Sequence, residues 1–117
     1  RQELNILAVT GASGFGGGLR CGGVCGVVNA AAVALGMVCP STLENGAAGK
    51  KRSTELTKDF QRRFTERFHK LDCRDLLAEK ELDATDMARE LGVTHHCRTL
   101  VVSAVELLCD MLEELGK

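Results

Sequence analysis

The sequence predicts an all-α fold, a small helical bundle with a glycine-rich loop and a buried small-residue central helix. Three observations lead there. Leu56, Phe60, Phe64 and Phe68 recur every four residues, with mostly Lys, Arg, Asp, Glu and Gln between them, which is the spacing of one helical face. Cys97, Val101, Ala104, Leu108, Leu112 and Leu115 form a second such stripe with acids on its far side. No segment alternates apolar and polar residues cleanly with period two, so no strand signal competes.

Length and composition bound the rest. A chain of 117 residues is expected to form one domain, residues 1–117. At 44% hydrophobic and 26% charged it is ordinary for a globular protein, which excludes wholesale disorder. A net charge of −1, no Trp, no Tyr and four Phe leave neither a basic surface nor stacking platforms, so no nucleic-acid partner is expected.

Along the chain, charge and glycine divide sharply. Residues 1–49 hold only Arg1, Glu3, Arg20 and Glu44 as charges but 11 of the 13 Gly. Residues 5–17 have the TGxxGxxG pattern of a dinucleotide-binding turn. Such a turn needs a second strand ending in an acid about 20 residues on, and Ala31 to Pro40 contains none, so no NAD site is expected. Residues 22–39 carry no charge. Gly22, Gly23, Gly26, Asn29 and Gly36 weaken them as a membrane span and favour a tightly packed central helix instead. Gly18, Gly22, Gly26, Ala30 and Ala34 fall four apart, a flat face suited to close helix contact. Because a chain this short buries little apolar surface alone, a homodimer or higher oligomer is expected.

Breakers from Cys39-Pro40 to Gly49 predict a loop. The Phe-bearing helix follows, with Ser53 or Thr54 as its cap. Short helices are expected over Cys73–Glu79, capped by Asp72, and over Thr85–Leu91, capped by Asp83 or Thr85 and ended by Gly92. The last helix begins near Cys97. The basic run Lys50-Lys51-Arg52 and the pair Arg62-Arg63 are balanced by nearby acids and form a solvated face.

Six Cys are the unusual entry in the composition. The segments around them are helical rather than loop-rich, and no signal peptide is visible, which favours an intracellular, cytoplasmic protein whose cysteines bind metal, react or fill volume. Cys25, Cys73 and Cys97 each fall at a helix start, where free amides and the positive dipole end favour a thiolate. Brought together at one end of a bundle, they would suit metal or iron–sulfur ligation, or thiol–disulfide exchange. Cys21, four residues before Cys25 and so able to share a helical face with it, is the candidate fourth ligand. Cys39 and Cys109 are expected elsewhere, packed as small hydrophobes. Of His95 and His96, which point about 100° apart on a helix, at most one joins Cys97. The competing reading is a non-catalytic helical interaction module whose cysteines are inert and buried.

The run Gly14-Phe15-Gly16-Gly17-Gly18, then Cys25-Gly26-Val27-Val28-Asn29-Ala30 and Leu35-Gly36-Met37, is similar to the core of the redox-active CGAxxG family. These small bacterial and archaeal proteins are recognised by four spaced cysteines and that motif. The similarity continues at Phe64 to Leu77, where Asp72-Cys73-Arg74-Asp75 resembles the third-cysteine segment, and at Cys97, in the position of the fourth. The resemblance implies a redox role with Cys25, Cys73 and Cys97 as the reactive or ligand set and an unidentified redox partner.

This chain departs from the family pattern at three points. Val27 stands for the motif's Ala and Ala30 for its closing Gly, and no Cys precedes Cys21, although the family carries its first cysteine on a helix before the glycine loop. Either that N-terminal helix is missing from this chain, or Cys21 takes its role. Split-Soret cytochromes resemble the same module but add CxxCH sites; this sequence has none, so no covalent haem is expected.

Overall fold

A computed structural model describes residues 2–116, with side chains from Ile6 onward. Among these residues there are six α-helices, α1 (Gln2–Gly11), α2 (Gly26–Val38), α3 (Gly46–Phe68), α4 (Cys73–Ala78), α5 (Asp86–Glu90) and α6 (His96–Glu114), with a short 3-10 turn at Ser13–Phe15. Among the described residues there is no strand, only an isolated antiparallel bridge between Val24 and Asp72. None of the described helices is long and apolar enough to cross a membrane.

The core sits where α2, α3 and α6 meet. Phe60, Phe64 and Phe68 of α3 are buried against Val28, Ala31 and Leu35 of α2 and Leu100, Ala104 and Met111 of α6. The four-residue repeat therefore marks the inner face of α3. Three aromatic rings on one stripe supply the bulk that α2, built mainly of Val, Ala and Gly, lacks; the rings of Phe64 and Phe68 stand 4.8 Å apart. On the outer face Arg62 and Arg63 pair with Asp59 and Glu66, and Arg63 reaches Glu114 of α6 at 2.6 Å.

The ends of the elements depart from expectation for local reasons. α3 starts at Gly46, so Ser53 and Thr54 lie inside it, and the Thr54 hydroxyl donates back to the Lys50 carbonyl (2.9 Å) instead of capping. The breaker run ends as a Thr42–Asn45 turn, in which the Thr42 amide donates to Asn45 Oδ1 at 2.8 Å. Thr85 precedes α5, but its hydroxyl donates to Ser103 Oγ (3.3 Å) and its amide to the same oxygen (3.3 Å). Asp72 occupies the cap position of α4 without a side-chain bond.

α2 begins at Gly26, not at Gly22. Gly17, Leu19 and Arg20 all adopt left-handed backbone conformations, and Gly18 and Gly22 have positive φ. The chain thereby makes a left-handed turn, closed by the Gly23 amide donating to the Gly18 carbonyl (2.9 Å). Only glycine fits at Gly18, where a Cβ would lie 2.1 Å from the Gly23 oxygen. The four-residue ladder from Gly18 to Ala34 is therefore not one helical face, and Cys21 does not share a helix with Cys25.

The last helix is rotated from its expected phase. Thr99, Leu100, Ser103, Ala104 and Met111 are buried, whereas Cys97, Val101 and Val105 are exposed. Of the expected stripe, Ala104 lies in the core and Leu108 packs against it, whereas Cys97 and Val101 lie on a second apolar face that stays open.

Candidate functional site

The Val24–Asp72 bridge builds the site. The Cys25 amide donates to the Leu71 carbonyl and the Cys73 amide to the Gly23 carbonyl, both at 2.7 Å. In such an antiparallel pair, residues flanking the bridge project to the face opposite the bridged residues, so Cys25 and Cys73 point the same way. They are diagonal neighbours, which ordinary ladder geometry sets roughly 7–8 Å apart. One pair of residues thus anchors the starts of α2 and α4 with both thiols turned to one side.

That side is an apolar cavity of about 310 Å³. Cys25, Cys73 and Cys97 all line it, with Phe15, Gly16 and Gly17 from the glycine loop, Gly26, Val27 and Ala30 from α2, Leu77 from α4, and Leu100 and Val101 from α6. No charged side chain is among its walls. The glycine loop fits because Gly26 has no side chain: a Cβ there would lie 2.8 Å from the Phe15 carbonyl oxygen.

The three thiols differ in exposure. Cys25 and Cys73 are buried and Cys97 is exposed. Burial pushes the Cys25 thiol above its ordinary pKa, as do the neighbouring Cys73 and, more weakly, Cys97. Amides of Val27 and Val28, in the first turn of α2, donate toward its sulfur and offset part of that rise. Cys97 lies in the first turn of α6, where its amide donates to Nδ1 of His95, the residue that caps the helix (3.2 Å). His96 Nε2 instead hydrogen-bonds the Glu79 carbonyl at 2.6 Å. Both histidines are engaged in the backbone of this corner.

The remaining cysteines lie apart. The Cys21 thiol is exposed, donates to the Gly18 carbonyl at 3.3 Å, and is outside the cavity walls; its own carbonyl accepts from Arg74 (3.3 Å). Cys39 is buried at the end of α2, as a small hydrophobe would be. Cys109 is exposed rather than packed, because it lies off the face of α6 that enters the core.

The donor set does not fit a metal centre as it stands. Among the described residues no group of three or more His, Cys, Asp or Glu side chains is close enough together to hold a metal ion. Cys25 and Cys73 are spread across a bridge diagonal, and Cys21, the fourth ligand an iron–sulfur cluster would take, faces the glycine turn. The arrangement suits thiol chemistry: one exposed cysteine and two buried ones line the same apolar cavity.

Sequence reasoning missed the elements that frame this pocket. A bridge of one residue pair leaves no periodic signal, and the roles of Phe15, Leu77 and Val101 as walls follow from tertiary placement. The Gly-rich run marked a close approach without identifying its partner.

The family model described as "Putative redox-active protein (C_GCAxxG_C_C)" matches residues 3–111. No curated protein and no solved structure matches the chain.

Proposed function

The chain belongs to the C_GCAxxG_C_C family of redox-active proteins, and on that premise we propose that it works by reversible two-electron oxidation of the thiols Cys25, Cys73 and Cys97. The observation that carries this reading is that all three line one apolar cavity with unequal exposure. Exposed Cys97 attacks a disulfide of a redox partner as its thiolate, and the partner's leaving sulfur takes up a proton. A sheltered thiol, Cys73 or Cys25, then displaces the partner's second sulfur from the mixed disulfide. The products are one internal disulfide and the reduced dithiol partner, so two electrons and two protons pass to the partner. A cytoplasmic setting, where small thiols return the protein to its reduced form, suits this cycle.

Mild oxidation followed by mass spectrometry of unreduced peptides tests it. The expected result is loss of two hydrogens per chain, with Cys97 linked to Cys73 or Cys25, and loss of that link in Cys97→Ser. Oxidation that joins only Cys21, Cys39 or Cys109 would overturn the assignment. Visible absorption with stoichiometric iron and sulfide in anaerobically purified protein would replace thiol exchange by cluster chemistry.

A further inference from the structure

We propose that α1 of one copy docks in the groove between α2 and α6 of a second copy, and reciprocally, so that each thiol cavity is closed by a helix from the other subunit. This goes beyond the thiol reading and does not depend on it; in the terms of that reading, the separated chain is the form whose Cys97 meets a partner disulfide, and the dimer is the sheltered form.

The first observation is a helix without a bed. Ile6, Leu7 and Val9 of α1 are 64%, 66% and 69% exposed, and the main neighbour of α1 in its own chain is the Ser13–Phe15 turn. Residues 5–11 carry no charge. Three such apolar side chains in water leave burial unrealised within the chain.

The second observation is a bed without a helix. The thiol cavity shares Gly26, Val27, Ala30 and Val101 with a neighbouring cavity of about 230 Å³ that continues along α2 and α6 to Val105 and Leu108. Together they form one uncharged groove. Its α6 wall runs along the edge of the core, and Val101 and Val105 are half exposed there. Gly26 and Ala30 on the opposite wall leave room for a helix backbone. At 1.5 Å per residue, α1 spans about 15 Å, and α6 from Cys97 to Leu108 spans about 17 Å.

The occupant is a second copy because the chain's own α1 cannot turn back into the groove. Ala12, the residue directly after α1, is already part of the cavity wall. Reversing a helix takes a loop of about 2–5 residues, and none intervenes. An exchange of the same two surfaces about a two-fold axis satisfies both copies at once.

The test is light scattering of the reduced full chain over the micromolar range, paired with the alkylation rate of Cys97. The expected result is a dimer in which Cys97 reacts more slowly as protein concentration rises. Leu7→Glu, at an exposed site outside the core, and Val105→Glu should each weaken association by about tenfold or more. Each should also restore fast alkylation, and combining Leu7→Lys with Val105→Glu should recover the dimer. A monomer at high micromolar concentration overturns the proposal. So does a dimer that survives Leu7→Glu, or a monomer whose Cys97 is slow to react until Leu7 is replaced, since that pattern means α1 covers its own cavity. If Val105→Glu does not fold, Leu7→Glu decides alone.

Discussion

The carbonyl oxygen of Phe15 lies so close to the Cα of Gly26 that a Cβ on Gly26 would stand 2.8 Å from it. Both partners are backbone, so no side chain can swing aside. Gly26→Ala should therefore destabilise the fold by about 1–3 kcal/mol and loosen the glycine loop over the thiols. Gly36→Ala, on the same helix with open space around it, should instead stabilise by up to about 1 kcal/mol through helix propensity. Urea midpoints of the two variants provide the comparison, and equal effects would refute the close approach.

Leu19 sits at φ 59° and Arg20 at φ 62°, conformations that cost an L residue roughly 1–2 kcal/mol each. Leu19 is 56% exposed and gives little burial in return. Leu19→Gly is expected to leave stability unchanged or raise it by up to about 1 kcal/mol, despite the greater freedom glycine brings to the unfolded chain. A loss above about 1 kcal/mol in denaturant unfolding would show that the left-handed turn is not the relevant conformation.

Ser103 is fully buried on α6, and its oxygen accepts from both the amide and the hydroxyl of Thr85 (3.3 Å each). Ser103→Ala strands two buried donors at once. A cost of about 1–3 kcal/mol follows, with faster hydrogen exchange at the Thr85 amide. Exchange that is unchanged would mean that another acceptor takes over.

The raised pKa of Cys25, caused first by burial and then by the neighbouring thiols, has a definite sign in stability. Below the ordinary thiol pKa, folded and unfolded chains both hold the proton and pH has no effect through this group. Between the ordinary value and the raised one, the unfolded chain loses the proton first, so stability falls as pH rises. Unfolding curves between about pH 8 and pH 10 should show a steeper decline for the wild type than for Cys25→Ala. The other five cysteines are common to both proteins, so parallel curves would remove the effect.

The all-α architecture could be read from residue spacing because Phe60, Phe64 and Phe68 sit on one long regular helix with a single buried face. α6 was harder. It has two apolar faces, and spacing alone cannot tell the face toward the core from the face toward an open groove. The run from Gly18 to Ala34 misled for another reason: helical spacing assumes a right-handed helix, and this chain turns left-handed before Gly26. Cys25, Cys73 and Cys97 line one cavity, whereas Cys21 lies outside its walls, held at the glycine turn. Capping residues failed where their side chains had tertiary partners, as Thr85 does in Ser103.

The bridge between Val24 and Asp72 ties the redox state of the protein to the history of its folding. The thiols of a short vicinal motif are neighbours before a chain folds, but Cys25 and Cys73 become neighbours only when segments 48 residues apart have closed on one another. That closure carries an entropic cost that grows with the length of chain between them. A covalent link across it would remove about 4 kcal/mol of freedom from the unfolded chain by the loop-entropy argument. Any oxidant that joined these helix starts would therefore lengthen the lifetime of the molecule while taking two electrons from it, and reduction would return the electrons and remove the added stability together.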